Sequence, residues 1–169
     1  VQPLEKLTPF QHVDSGVTFD VPDSWQPESK GEFNLLNKPD MTVNLLITSV
    51  PSSQVEAISH SLIKELEQFL TDNKAAGAVE EKDVNGLKVY TQRGSGMQRE
   101  RPVTWVVTVV KGTQKDSLMM FFIGDVTMNE PTVTAVLKTF RPGSGKASSS
   151  DDKGGKDDKG GKDEKGGGK

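Results

Sequence analysis

The two histidines are the first residues to consider for chemistry, because imidazole has an ordinary pKa close to neutral pH. His12 stands in an N-terminal segment without sequence periodicity, and His60 lies two residues after Ile58, off the apolar stripe of a predicted helix. Neither histidine has a catalytic motif around it, and no Gly-x-Ser-x-Gly nucleophile elbow occurs. We therefore predict no catalytic residue and expect His60 to be a solvent-exposed helix side chain.

Two glycine-containing stretches resemble phosphate-binding loops but fail on spacing. In the stretch that begins Gly94-Ser95-Gly96, Arg99 stands where a dinucleotide fingerprint needs its third glycine. In the stretch that ends Gly145-Lys146, Phe140 stands where a phosphate loop needs its first glycine. With two histidines and no cysteine, a closed zinc site would need carboxylates whose convergence the sequence does not show. We predict neither a cofactor nor a metal.

A basic segment between two predicted strands is the one candidate for a binding site. The segment runs from residue 93 to residue 101, and we expect it to be a long loop that exposes a methionine. Because long loops between core strands are often recognition elements, we predict that this loop is a partner-binding site. A solvated hairpin tip without a partner is the alternative. The candidate residues are Arg93, Met97, Arg99 and Arg101.

Composition divides the chain of 169 residues into three parts. Residues 143–169 hold nine of the 17 glycines, seven lysines and six acidic residues in three near-copies of Asp-Asp-Lys-Gly-Gly-Lys, so they predict a disordered low-complexity tail. A solubilising spacer, a weak surface contact and no role at all remain open for this tail. Residues 1–15 predict a lead-in strand or arm rather than an element of the core, and residues 16–142 predict one domain. The chain up to residue 142 has 14 basic and 18 acidic residues, so no nucleic-acid partner is expected.

The predicted location is extracytoplasmic, periplasmic or secreted, after removal of an N-terminal signal. The chain begins at Val1 and contains no cysteine, which suits export, although cysteine-free cytoplasmic domains of this size are common and the cytoplasm stays an alternative. A processed start and a trimmed start are both open. The longest apolar run, residues 118–123, is far shorter than the roughly 20 residues that span a bilayer, so no transmembrane segment is expected.

The elements that must position these residues follow from hydrophobic periodicity. Alternation predicts strands, and apolar residues at steps of three and four predict helices. The strands over 102–112 and 116–125 are apolar on both faces, so both faces must be covered. We predict an α+β domain with a mainly antiparallel sheet of about six to seven strands flanked by helices. The predicted elements are strands 17–22, 32–37 and 41–50, helix 53–73, strands 78–84, 87–94, 102–112 and 116–125, and helix 129–140.

Three features together resemble the PsbP/DcrB-like superfamily. They are the opening Val-Thr-Phe-Asp-Val-Pro of residues 17–22 followed by Trp25, the order of three strands, helix, four strands and helix, and the closing Phe-Arg-Pro of residues 140–142. The resemblance covers residues 16–142 and implies an α/β/α sandwich. The superfamily includes extrinsic PsbP subunits of photosystem II, DcrB-like envelope proteins, a Ran-binding nuclear-import factor and adaptor chaperones of type VI secretion. Because these proteins share no transferable site, no functional residue is carried over.

The resemblance implies a non-catalytic binding or assembly module, which we expect in the bacterial cell envelope and acting through protein–protein contacts. Its partner is an unidentified protein or envelope component. One alternative is a dimeric adaptor chaperone of a secretion system that holds apolar client helices, which would make the chain a homodimer. The other alternative is an enzyme whose site is assembled from scattered polar residues.

Overall fold

The computed structural model describes residues 4–143, which form eleven strands and a few short helices. The helical elements are α1 (Val55–Ser59), α2 (Glu130–Leu137) and the 3-10 segments Ser52–Gln54 and Leu62–Gln68. The strands are β1 (Leu7–His12), β2 (Val17–Pro22), β3 (Gln26–Lys30), β4 (Phe33–Asn37), β5 (Val43–Pro51), β6 (Thr71–Ala75), β7 (Glu80–Val84), β8 (Leu87–Gln98), β9 (Arg101–Val110), β10 (Asp116–Gly124) and β11 (Arg141–Pro142).

The strands form two sheets, and every strand pair between residues 4 and 143 is antiparallel. The main sheet has eight strands in the order β3-β4-β5-β10-β9-β8-β6, with β7 also paired to β8. The small sheet has the order β1-β2-β11. The predicted α+β class with a mainly antiparallel sheet is confirmed. The main sheet is larger than six or seven strands partly because residues 26–37 form a hairpin of two strands.

The centre of the main sheet is buried on both faces, as the sequence predicts. In β10, Leu118, Met120 and Phe122 belong to a core shared with the small sheet and α2. Met119, Phe121 and Ile123 alternate with them and belong to a second core, shared with α1 and the Leu62–Gln68 segment. Each of these six side chains is at most 2% exposed, and burying such a side chain contributes roughly 1.5–3 kcal/mol. Both layers that cover the main sheet are therefore needed to bury the two faces of β10.

The predicted long helix over residues 53–73 is wrong. The helix α1 ends at Ser59, Ser61 has the non-helical angles φ −148° and ψ 46°, and the chain continues as a 3-10 segment. From Thr71 the chain is the strand β6, whose backbone pairs with β8. The apolar spacing nevertheless predicted the buried face, since Val55, Leu62 and Leu66 are at most 1% exposed. Tertiary pairing with β8 thus overrides the helical pattern at its C-terminal end.

Of the two forms predicted for the N-terminal segment, a strand or an arm, the structure shows the strand. Residues 7–12 form the edge strand β1, in register with β2 from Leu7↔Pro22 to His12↔Val17. The ring of Phe10 packs against that of Phe19 at a centroid distance of 5.2 Å. The domain therefore begins before Gly16.

The predicted disordered tail lies outside the described residues apart from Gly143. None of the helices within residues 4–143 is long and apolar enough to cross a membrane.

A buried lysine connects α2 to the other layers. The side chain of Lys38 is 8% exposed and pairs with the Asp40 carboxylate at 3.2 Å. Its ammonium group donates to Asn129 Oδ1 at 2.6 Å, and it lies 3.9 Å from the Glu5 carboxylate, which also accepts a hydrogen bond from Trp25. Because a buried charge is stable only when it is paired and hydrogen-bonded, these contacts fix the start of α2 against the β4–β5 turn.

We expect that replacing Gly94 by alanine destabilises the fold by roughly 1–3 kcal/mol, because the added methyl group would overlap the ring of Trp105 and the backbone oxygen of Lys74. Urea unfolding of both proteins measures the difference. The control is Gly77→Ala, where nothing lies within 4 Å of the added methyl group. Equal unfolding free energies for the two variants would contradict the close approach at Gly94.

Candidate functional site

Two shallow clefts adjoin between the small sheet and the β3–β5 side of the main sheet. They have volumes of about 190 and 250 Å³ and share Phe10 and Asn34 in their linings. The larger cleft also contains His12, Asp14 and Ser49. Sequence reasoning singled out His12 here but missed Asn34 and Ser49, because a serine or asparagine in a strand carries no motif.

His12 joins the β1–β2 turn to the main sheet. Its ring is buried, with Nδ1 2.7 Å from Ser15 Oγ and Nε2 3.2 Å from Ser49 Oγ. Ser15 Oγ also accepts a hydrogen bond from the amide of Val17 at 3.2 Å. Ser49 Oγ in turn donates to the Asp14 carboxylate at 3.3 Å. The imidazole thus lies in a chain of hydrogen bonds that runs from the turn, through β5, to a surface carboxylate.

A histidine beside a serine is the arrangement that activates a nucleophile, so the direction of these hydrogen bonds matters. The Ser49 hydroxyl has one hydrogen and donates it to Asp14, and the Ser15 hydroxyl likewise donates its one hydrogen to the backbone carbonyl oxygen of His12 at 3.2 Å. Each serine oxygen can therefore accept a hydrogen bond from the ring nitrogen beside it, and a neutral imidazole donates its one N–H to either Ser15 or Ser49. The Ser49 hydrogen is directed at Asp14 rather than at Nε2, and in either tautomer the network ties the β1–β2 turn to β5.

Burial lowers the pKa of His12 below its ordinary value of 6.5, since desolvation penalises the charged imidazolium. The negative charges of Asp14 and Asp116 oppose this effect and raise the pKa, but desolvation is the larger influence. The imidazole is therefore neutral at pH 7. His60 is exposed, as predicted. Within residues 4–143, no group of three or more histidine, aspartate or glutamate side chains is placed to hold a metal ion.

The predicted basic loop over residues 93–101 is not a loop. Strand β8 continues to Gln98 and β9 starts at Arg101, so Arg99 and Glu100 alone form the turn. The glycines at 94 and 96 that suggested a loop are strand residues. Each allows close packing, Gly94 against Trp105 and Gly96 against the side chain of Asn73. The segment is therefore a tight hairpin tip.

The structure separates the four candidate binding residues. Arg93 forms a bidentate ion pair with Glu130 of α2 at 2.8 and 3.0 Å, and Met97 is half-buried rather than exposed. Arg99 and Arg101 are exposed and lie together at the tip. Glu100, which shares the turn with Arg99, is not among the residues predicted from the sequence. The signal that could have indicated it is a charged pair at a turn where asparagine and glycine are preferred.

No protein-family model matches the chain, and no curated protein sequence matches it. Solved structures do. Cyanobacterial PsbP (CyanoP) from Synechocystis sp. PCC 6803 has a TM-score of 0.55 at 14% identity, over 82% of this chain and 93% of that chain. LpqN, involved in cell envelope biogenesis of Mycobacterium tuberculosis, has a TM-score of 0.54 at 14% identity, over 80% of this chain and 90% of that chain. PA94, a putative regulator from Pseudomonas aeruginosa, has a TM-score of 0.52 at 14% identity, over 79% of this chain and 94% of that chain. These similarities confirm the predicted PsbP/DcrB-like fold.

We expect the unfolding free energy of the chain to fall as the pH drops below about 6.5, because the unfolded chain binds a proton on His12 at the ordinary pKa, whereas the folded chain binds it at a lower pH. The loss levels off below the folded pKa. Urea unfolding at a series of pH values measures this slope. In His12→Gln this contribution is absent, so the curve between about pH 7 and pH 5 becomes flatter. The matched control, His60→Gln, replaces an exposed histidine and retains the slope; identical curves for wild type and His12→Gln would refute the prediction.

Proposed function

We propose that this protein is a non-catalytic binding or assembly module of the bacterial cell envelope that acts through protein–protein contacts, with the tip of the β8–β9 hairpin as a contact surface. The observation that carries the proposal is the backbone of this tip. Arg99 has φ 50° and Glu100 has φ 66°, so two consecutive charged residues adopt the left-handed conformation. Strained residues of this kind are concentrated at functional sites.

A second hairpin of the same protein provides an internal comparison. The β7–β8 turn also has two residues with positive φ, and there they are Asn85 at 50° and Gly86 at 87°. Asparagine and glycine are the favoured pair for such a turn because they tolerate this conformation. At the β8–β9 tip a similar geometry is made with arginine and glutamate, at a cost of roughly 1–2 kcal/mol per residue. Folding alone does not require these side chains, which supports a role in contact.

The tip has the chemistry of a protein-binding surface. Arg99 and Arg101 present guanidinium groups, which bind carboxylates through paired hydrogen bonds, and Glu100 adds an acceptor of opposite charge. All three residues are exposed. Arg93 is not part of this surface because Glu130 already holds it. The proposed partner therefore offers charged groups of both signs, with carboxylates facing the two arginines.

The envelope location is supported by fold and composition. LpqN, which has a similar fold, is described as involved in cell envelope biogenesis. The absence of cysteine from the sequence suits an extracytoplasmic protein. The proposed non-catalytic role is supported by the sequence, in which neither histidine has a catalytic motif around it, and by the hydrogen bond from Ser49 to Asp14, which directs the hydroxyl hydrogen away from His12.

Replacing Arg99 by Asn and Glu100 by Gly in the full-length chain is expected to separate stability from binding. The unfolding free energy rises by about 1 kcal/mol or more, because the backbone strain is relieved. Capture of a partner from the native envelope fraction on the immobilised protein, quantified by mass spectrometry, falls several-fold. Since the variant is more stable than the wild type, misfolding cannot explain the loss.

The converse variant, with Asn85→Arg and Gly86→Glu, is the control. It places the strained charged pair on the other hairpin and also removes the hydrogen bond from Asn85 to the Phe140 carbonyl, so it is less stable. Its capture of the same partner is nevertheless expected to equal that of the wild type. The proposal fails if the Arg99→Asn/Glu100→Gly variant captures every protein that the wild type captures, in the same amount.

A further inference from the structure

The two adjoining clefts form one groove between the edge strand β1 and strands β3 to β5 of the main sheet, which we call the β1 groove. β1 is the edge strand of the small sheet, and β3 is the edge strand of the main sheet. The residues from Phe10 to Asp14 line the groove consecutively. Because successive side chains of a strand point to opposite faces, such a run shows that the edge of β1 and its turn, rather than one face, border the groove. A free edge offers unpaired backbone groups to an extended chain.

The lining of the β1 groove carries charge of one sign. Asp14, Glu28 and Glu32 line it, and no lysine or arginine does. Among residues 4–143, none of these three carboxylates lies within 4.0 Å of a cationic side chain. This excess of carboxylates is a local property of the groove, because basic and acidic residues are more evenly balanced over residues 1–142, where there are 14 basic and 18 acidic residues. His12 does not offset it, because its buried imidazole is neutral at pH 7, and Asp116 adds a further negative charge near His12.

The groove also has an apolar component and a size that favour a peptide. The ring of Phe10 lies where the two clefts meet, next to Leu36 in one cleft and Ile47 in the other. Each cleft, at about 190 or 250 Å³, is smaller than the roughly 300–1,000 Å³ typical of small-molecule sites. Successive small clefts along a strand edge are the geometry that receives side chains of an extended peptide, while backbone hydrogen bonds to the edge supply affinity.

We propose that the β1 groove binds an extended segment of a partner protein that carries lysine or arginine side chains, with its backbone along the free edge of β1 and its cationic groups against Asp14, Glu28 and Glu32. The aromatic face of Phe10 adds a favourable contact for a cation or for an apolar side chain between the cations. The groove shares no residue with the β8–β9 tip, so the two proposals are independent.

The test measures binding of a capped, fluorescently labelled peptide of alternating lysine and valine to the full-length chain by anisotropy. We expect saturable binding that weakens at high ionic strength, and no binding of the matched glutamate–valine peptide. The triple variant Asp14→Asn/Glu28→Gln/Glu32→Gln is expected to weaken binding about tenfold, since each partly exposed ion pair contributes a factor of a few. The control variant Glu56→Gln/Glu67→Gln/Glu80→Gln removes the same charge from exposed positions outside the groove lining and should bind as the wild type does.

Three results would overturn the proposal. The first is failure of the peptide experiment itself: either the lysine–valine peptide does not bind, or the two triple variants weaken its binding equally. Equal weakening would indicate attraction to net charge alone. The second is concentration-dependent dimerisation of the full chain that the groove variant abolishes, which would make a second copy the occupant. The third is binding that appears only after the seven lysines beyond Gly143 are replaced by serine, which would make the chain's own C-terminal segment the occupant.

Discussion

The burial of strand β10 on both faces is the constraint on which the rest of the structure depends. Its side chains alternate between two cores, and all of those from Leu118 to Ile123 are almost fully buried. A strand of this kind must lie inside a sheet that is covered twice. The small sheet and α2 cover one face, and α1 with the following 3-10 segment covers the other. The apolar area buried by this arrangement outweighs the poor helical continuity of the second layer.

Covering one sheet with a second, smaller sheet leaves a seam between their edges, and the candidate site lies in this seam. Polar contacts fix its two sides. Lys38 holds the start of α2 to the β4–β5 turn, and His12 holds the β1–β2 turn to β5 through Ser49. Both groups are buried and hydrogen-bonded, so they give the two layers a defined position that apolar packing alone would leave adjustable. The β1 groove between β1 and strands β3 to β5 is a consequence of that fixed separation.

The two hairpins that contain β8 have a similar turn conformation but different residue types in the turn. At the β7–β8 turn, Asn85 and Gly86 occupy the left-handed region at little cost. At the β8–β9 tip, Arg99 and Glu100 adopt the same region with bulkier charged side chains. Within β8 itself, Gly94 and Gly96 serve packing rather than bending, because the Trp105 ring and the β6 backbone approach them closely. A glycine therefore indicates either a turn or a position where neighbouring atoms approach the backbone closely, and the sequence alone does not distinguish the two.

The sequence by itself determined the α+β class, the two-faced central strands and the buried stripe of Val55, Leu62 and Leu66, because burial follows from local apolar periodicity. It also indicated Arg99 and Arg101 as candidate binding residues, and the structure places both at the exposed hairpin tip. Only the tertiary structure decided that residues 71–75 pair as a strand, that Arg93 is held by Glu130, and that His12 and Ser49 meet. The physical reason is that each of these contacts joins residues distant in the chain, so no local pattern encodes it. The β1 groove has the same origin, since its carboxylates come from separate turns and strands that the packing of two sheets brings together.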